Sequence, residues 1–121
     1  MANPNIVNVT EIYGKVSHLE ATTSAQTLVE NPAGSGKIIK INTVTAANID
    51  GTNSVDVSCS LTDASAGTNG FIAYLVSVPG KSTLVVISKD TSIYLEEGDS
   101  LNITASAAGD CVVTVSYEEI S

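Results

Sequence analysis

The stretch Val85-Val86-Ile87-Ser88-Lys89-Asp90-Thr91-Ser92-Ile93-Tyr94-Leu95-Glu96-Glu97-Gly98-Asp99-Ser100-Leu101 reads as strand, turn, strand, acidic turn, strand. β-branched and aliphatic residues favour a pleated, half-buried surface, and Ser, Asp and Gly supply the turns between them. No catalytic grouping lies within it. The rest of the chain repeats the theme of short strands, small polar turns and few reactive side chains. The sequence describes a building block better than a catalyst.

Working outward, residues 101–105 form the next strand and Gly109-Asp110 precedes a final one at 111–117. On the N-terminal side, residues 83–87 and 71–78 are apolar on both phases and are joined by Pro79-Gly80-Lys81-Ser82, most simply as a hairpin. A sandwich strand buried on one face alternates, so two apolar faces require a second cover. That cover is a loop, the N-terminal arm or another subunit. Residues 63–70 are a small-residue loop, and residues 54–62 alternate, with Asp56, Ser58 and Ser60 facing out. Asp50-Gly51-Thr52-Asn53 is a turn.

Residues 37–49 form a longer strand whose apolar phase changes between Ile39/Ile41 and Val44/Ala46, so a bulge or bend is expected near Asn42-Thr43. A short strand at 26–30 leads into the turn Asn31-Pro32-Ala33-Gly34-Ser35-Gly36. Residues 6–19 alternate imperfectly, and Gly14 is expected to split them into two strands or mark a bulge. About eight strands at short spacing, without sustained helical periodicity, give an all-β antiparallel sandwich, jelly-roll or immunoglobulin-like. The 121 residues suit one domain, 1–121, with residues 1–5 as an extended arm because Pro4 cannot donate to a ladder.

Composition narrows the function classes. The net charge is −8, all five basic residues are lysines, and arginine is absent. Arginine is the preferred fork for phosphates and base edges, so neither nucleic acid nor an anionic membrane is expected as a partner. The start Met1-Ala2-Asn3-Pro4-Asn5 lacks the pattern of a signal peptide, and no apolar run is long enough to span a bilayer, so synthesis and use in the cytoplasm, or assembly there into something larger, are expected.

Candidate chemistry is thin, and no catalytic, cofactor-binding or metal-binding residue is assigned. Gly34-Ser35-Gly36-Lys37 lacks the first glycine and the following Ser/Thr of a phosphate loop: Asn31 and Ile38 occupy those positions, and a strand follows. His18 is the only histidine and reads as a surface or strand-end residue. Cys59 and Cys111 fall on apolar phases and read as buried free thiols, with a disulfide between paired strands as the alternative. Glu96, Glu97 and Asp99 read as an exposed turn that keeps strand edges soluble; weak calcium binding is the alternative. Asn8-Val9-Thr10 and Asn102-Ile103-Thr104 match the glycosylation acceptor, which is idle without secretion.

The opening Asn3-Pro4-Asn5-Ile6-Val7-Asn8-Val9-Thr10-Glu11-Ile12-Tyr13-Gly14-Lys15 resembles the start of small virion structural proteins of tailed bacteriophages, especially those of marine cyanobacteria. Asp50-Gly51-Thr52-Asn53, residues 86–101 and the ending Ser116-Tyr117-Glu118-Glu119-Ile120 are similar to the same proteins. The resemblance spans nearly the whole chain and carries no active-site signature. It implies a particle component: a capsid decoration (cement) protein on the outer shell, or a tail-, neck- or fibre-associated module. A decoration protein would be a trimer or dimer partnered with the major capsid protein and assembled in the host cytoplasm. A carbohydrate-binding adhesion module is a third class, weakened by the shortage of aromatic residues. Leu75, Val76, Val85, Val86, Pro4 and Ile6 are the candidate subunit or capsid contacts.

Overall fold

A computed structural model describes residues 4–64 and 66–121. Nine strands and one 3-10 turn follow in order: β1 Ile12–Glu20, β2 Gln26–Glu30, β3 Ile38–Asn48, β4 Val55–Asp63, β5 Thr68–Val78, β6 Thr83–Ile87, the turn Lys89–Thr91, β7 Ile93–Leu95, β8 Ser100–Ala105 and β9 Cys111–Ile120. They form two antiparallel sheets. One has the order β1-β9-β3-β6, with β7 also on β3, and the other β2-β8-β4-β5. This alternation of the chain between two four-position sheets is the jelly-roll order, which resolves the choice left open between jelly-roll and immunoglobulin-like connectivity.

Strands β6 and β7 share one position. β6 pairs with Val44 to Ala47 of β3, and β7 pairs with Ile39 to Ile41. Between them Ser88 N–H donates to Thr91 Oγ1 at 3.0 Å, closing the turn that lets the chain step along β3. The expected bulge in β3 is present: the register against β9 slips between Ile41 and Thr43, and Asn42 Nδ2 donates to Glu118 Oε2 at 2.8 Å. An extra residue on one strand flips the side-chain phase, so Ile39 and Ile41 before the slip and Val44 and Ala46 after it all reach the core.

That core lies between the sheets. Ile41, Val44, Val113 and Val115 meet Val55, Val57, Cys59, Leu101 and Ile103, all essentially without exposure. Burying each aliphatic side chain contributes about 1.5–3 kcal/mol. Alternation of short β-branched residues suits the interior because each strand presents one apolar row to the facing sheet.

Three local expectations change. Gly14 does not interrupt β1, which pairs with β9 in regular register from Ile12 to Glu20. Space around Gly14 is open, so this edge strand needs no kink there. Strands β5 and β6 are not a hairpin: β5 closes one sheet and β6 the other. Their connection turns a corner over the 50–53 turn, where a Cβ on Gly80 would come within 2.8 Å of the Asp50 carbonyl oxygen. Ser58 does not face solvent but is 8% exposed.

Buried Asn48 brackets this corner. Its Nδ2 donates to the carbonyls of Val78 and Asn53, each at 2.9 Å, and its backbone N–H donates to the Ser82 carbonyl at 2.8 Å. Asn31 brackets the other end of β3 in the same way, with Nδ2 donating to the carbonyls of Lys37 and Leu95. Buried carbonyls need such partners because an unpaired one costs about 1–3 kcal/mol.

Of the proposed arm 1–5, residues 1–3 lie outside the described residues. Asn5 opens a turn, its Oδ1 accepting from Val7 N–H at 3.0 Å and its carbonyl from Asn8 N–H at 3.1 Å. The segment then joins the opposite terminus: the N–H groups of Thr10 and Glu11 donate to the Ser121 carbonyl, and Ser121 N–H donates to the Glu11 carbonyl.

Candidate assembly surface

Strand β5 departs most from sandwich geometry. Residues 64–80 carry no charged side chain, the longest such run in the chain. Eleven residues of β5 run against nine of β4, with register shifts on both sides of Cys59. The two surplus residues are bulges, which bend a strand and re-aim its side chains.

At one of them Leu75 has φ 49°, in the left-handed region. Cβ and carbonyl crowding makes that conformation cost about 1–2 kcal/mol for an L-residue. Leu75 N–H, lost to the ladder, donates instead to Ser58 Oγ at 2.9 Å. This contact explains why Ser58 is covered rather than exposed.

The bulged segment is open to solvent. Phe71 is 63% exposed, Tyr74 62% and Leu75 55%, and Ile72 and Val76 are exposed as well. The Phe71 and Tyr74 rings meet edge to face, with centroids 4.6 Å apart and planes at 61°. Only Ala73 and Val78 of the apolar residues in this strand reach the core. No described loop or arm residue supplies the second cover that two apolar faces require, since all these side chains stay exposed.

The six residues singled out from the sequence fall in three places. Leu75 and Val76 lie on β5. Val85 lies on β6 and is exposed, while its neighbour Val86 packs against the core. β5 and β6 are the edge strands of their sheets and are joined by one corner, so these four share a side of the sandwich. Pro4 and Ile6 belong to the segment leading into β1, the opposite edge. Phe71 and Tyr74, which dominate the surface, are not among the six. Their signal was the uncharged run around them.

The acidic turn is not exposed as expected. Glu96 is exposed, but Glu97 and Asp99 are buried. The reason lies in distant backbone amides. Asp99 accepts from the N–H groups of Ala64 and Glu96, each at 3.0 Å, and Glu97 Oε2 accepts from Gly36 N–H at 3.1 Å. Gly98, at φ 89°, makes the turn that donates to the Asn31 carbonyl. These carboxylates stitch loops together, since a charge-assisted bond to a backbone amide replaces the water lost on burial.

Four other titratable groups are shifted by their surroundings. Burial alone pushes the Cys59 thiol up to about 12 and raises Cys111 as well. Both are free and buried in the core. Glu119 is raised by burial but held lower on balance by Lys15 and Lys37, each with Nζ at 3.2 Å. Asp50 is lowered because it caps the N–H groups of Thr52 and Asn53. His18 lies exposed on β1. Among the described residues, no group of three or more His, Cys, Asp or Glu side chains is arranged to hold a metal ion.

The chain matches no family model and no curated protein. Two solved structures align along most of its length. One is from work on Bacillus endospore appendages, described as a family of disulfide-linked pili: 14% identity, 100% of this chain and 96% of that chain, TM-score 0.49. The other is the virus-like particle of the extra small virus of the giant freshwater prawn Macrobrachium rosenbergii: 17% identity, 97% of this chain and 85% of that chain, TM-score 0.43. At these scores neither likeness bears on what this chain does. The resemblance to phage virion proteins rests on the sequence segments quoted above.

Proposed function

We propose that this chain is a non-enzymatic structural protein of a tailed-phage virion, a capsid decoration protein that binds the outer shell through the major capsid protein and stabilises it. The observation that carries the reading is the likeness of residues 3–15, 50–53, 86–101 and 116–120 to virion structural proteins. Two physical features support it. An acidic, arginine-free surface suits the outside of a particle, away from packaged DNA. An open apolar edge on a bracketed jelly roll gives a repeated subunit something to assemble through. Synthesis in the host cytoplasm and assembly as a dimer or trimer belong to the same proposal. Many weak contacts on a shell gain strength together, so no single contact need be tight.

Immunogold labelling of intact virions tests the reading. Gold distributed over the whole head is the expected result. Gold confined to the tail or neck replaces decoration with a tail-associated role. Absence of the protein from denatured virions overturns the assignment altogether.

A further inference from the structure

We propose that β5 is a self-association face, on which a second copy of this chain packs across a two-fold axis through Phe71, Tyr74 and Leu75. This deepens the homo-oligomer part of the proposed function and rests on it, but needs no capsid to be seen.

The area is the first argument. The exposed parts of Phe71, Tyr74 and Leu75 offer on the order of 300 Å² of apolar surface, since large aromatic side chains carry roughly 150–250 Å² each. One side of a standard interface buries about 800 Å², somewhat over half of it apolar. The strand therefore supplies a large part of the apolar share that a stable dimer needs. A patch of this size matches the largest apolar patch of an ordinary monomer, and such patches are often functional.

Charge selects the occupant. A two-fold contact brings each surface residue near its own copy, so any charge close to the axis meets a like charge. Most of this chain, at net −8, is unsuited to such a contact. Residues 64–80 are the exception, because nothing in them can repel itself. The opposite edge, β1, also exposes apolar groups, including Val16 at 71%, but carries Lys15, His18 and Glu20 among them.

Backbone geometry sets the mode of contact. An unbroken edge strand would invite another strand to add to its ladder. Two bulges and the left-handed Leu75 interrupt that template. Contact through side chains is left, with the edge-to-face Phe71–Tyr74 pair as its centre. Aromatic residues are the commonest anchors of such interfaces.

Sedimentation velocity on the full chain, over concentrations up to about 100 µM, tests the proposal. The expected result is a monomer–dimer equilibrium. Tyr74→Asp should weaken it by about 30-fold or more, the loss typical of an anchor residue. Val16→Asp should leave it unchanged. Thermal melting of Tyr74→Asp checks that the fold persists, and Phe71→Ser serves if it does not. A wild-type monomer throughout the range overturns the proposal and leaves β5 to a different partner. A dimer that survives both β5 variants, or one dissociated by Val16→Asp, overturns it equally. Capsid binding is read separately: a dimer absent from virions sinks the virion reading and leaves this contact standing.

Discussion

Strands β5 and β9 have nearly the same length and opposite fates. β9, ten residues long, alternates buried and half-buried positions between two hydrogen-bonded neighbours, β1 and β3. β5, eleven residues long, pairs on one side only, carries two bulges and buries only Val78 fully. β9 spends its apolar residues on the monomer. β5 holds its own in reserve, because an edge strand has solvent on one flank and its bulges turn side chains off the core. The lesson is that hydrophobicity alone does not place a strand. Regular alternation marks a strand committed inward, and the uncharged run without alternation marks one that leaves its apolar groups in solvent.

The comparison breaks most completely if a charge in β9 is tolerated. Val115→Asp puts a carboxylate between the sheets without a partner, a cost of several kcal/mol against a total stability of about 5–15 kcal/mol. Loss of a cooperative thermal melt is expected, whereas aspartate at Tyr74 should melt like the parent. The next effect concerns the corner that delivers β5 to its edge. Asn48→Ala leaves the Val78 and Asn53 carbonyls unpaired and should cost about 3 kcal/mol in denaturant unfolding. A cost below about 1 kcal/mol would mean that the corner does not depend on the bracket.

A smaller and opposite effect is expected at Leu75. Glycine adopts its positive φ without strain, so Leu75→Gly should raise monomer stability by about 1 kcal/mol while removing an exposed apolar group. Destabilisation would show that Leu75 is packed to the monomer's benefit after all. The smallest effect belongs to Glu119 of β9, with its two lysines. Its folded carboxyl titrates lower than its unfolded one, so it stabilises above the ordinary glutamate range and loses that contribution as pH falls through the folded value. Glu119→Gln should cost under about 1 kcal/mol at neutral pH and flatten the acid limb of a pH–stability curve below about 4.5. An unchanged acid limb would show the two ion pairs to be idle.

Much of this architecture was legible in the residues. Val55, Val57 and Cys59 announce an inward row by alternation, and the phase change from Ile41 to Val44 announces the β3 bulge. Pairing was harder. Pro79-Gly80-Lys81-Ser82 has the chemistry of a tight turn, and a tight turn serves a hairpin or a corner between sheets equally well. What decided it was Asn48, thirty-one residues before Pro79 in the chain, and no local pattern reports such a bond. The buried Glu97 and Asp99 were misread for the same reason: their partners, Gly36 and Ala64, are backbone amides far away in sequence. The exposed apolar surface was half visible. Leu75 and Val76 stood out as apolar on both phases, but Phe71 and Tyr74 needed the exposed edge to acquire a role.

The hydrogen bonds that bind Thr10 and Glu11 to Ser121 hold the segment before β1 against the residue after β9. A short linker from residue 121 back to residue 10 would suit a circular permutant. Cargo fused after Ser121 would leave beside β1, across the sandwich from β5. Such a display scaffold could carry its load without covering the exposed apolar residues of β5.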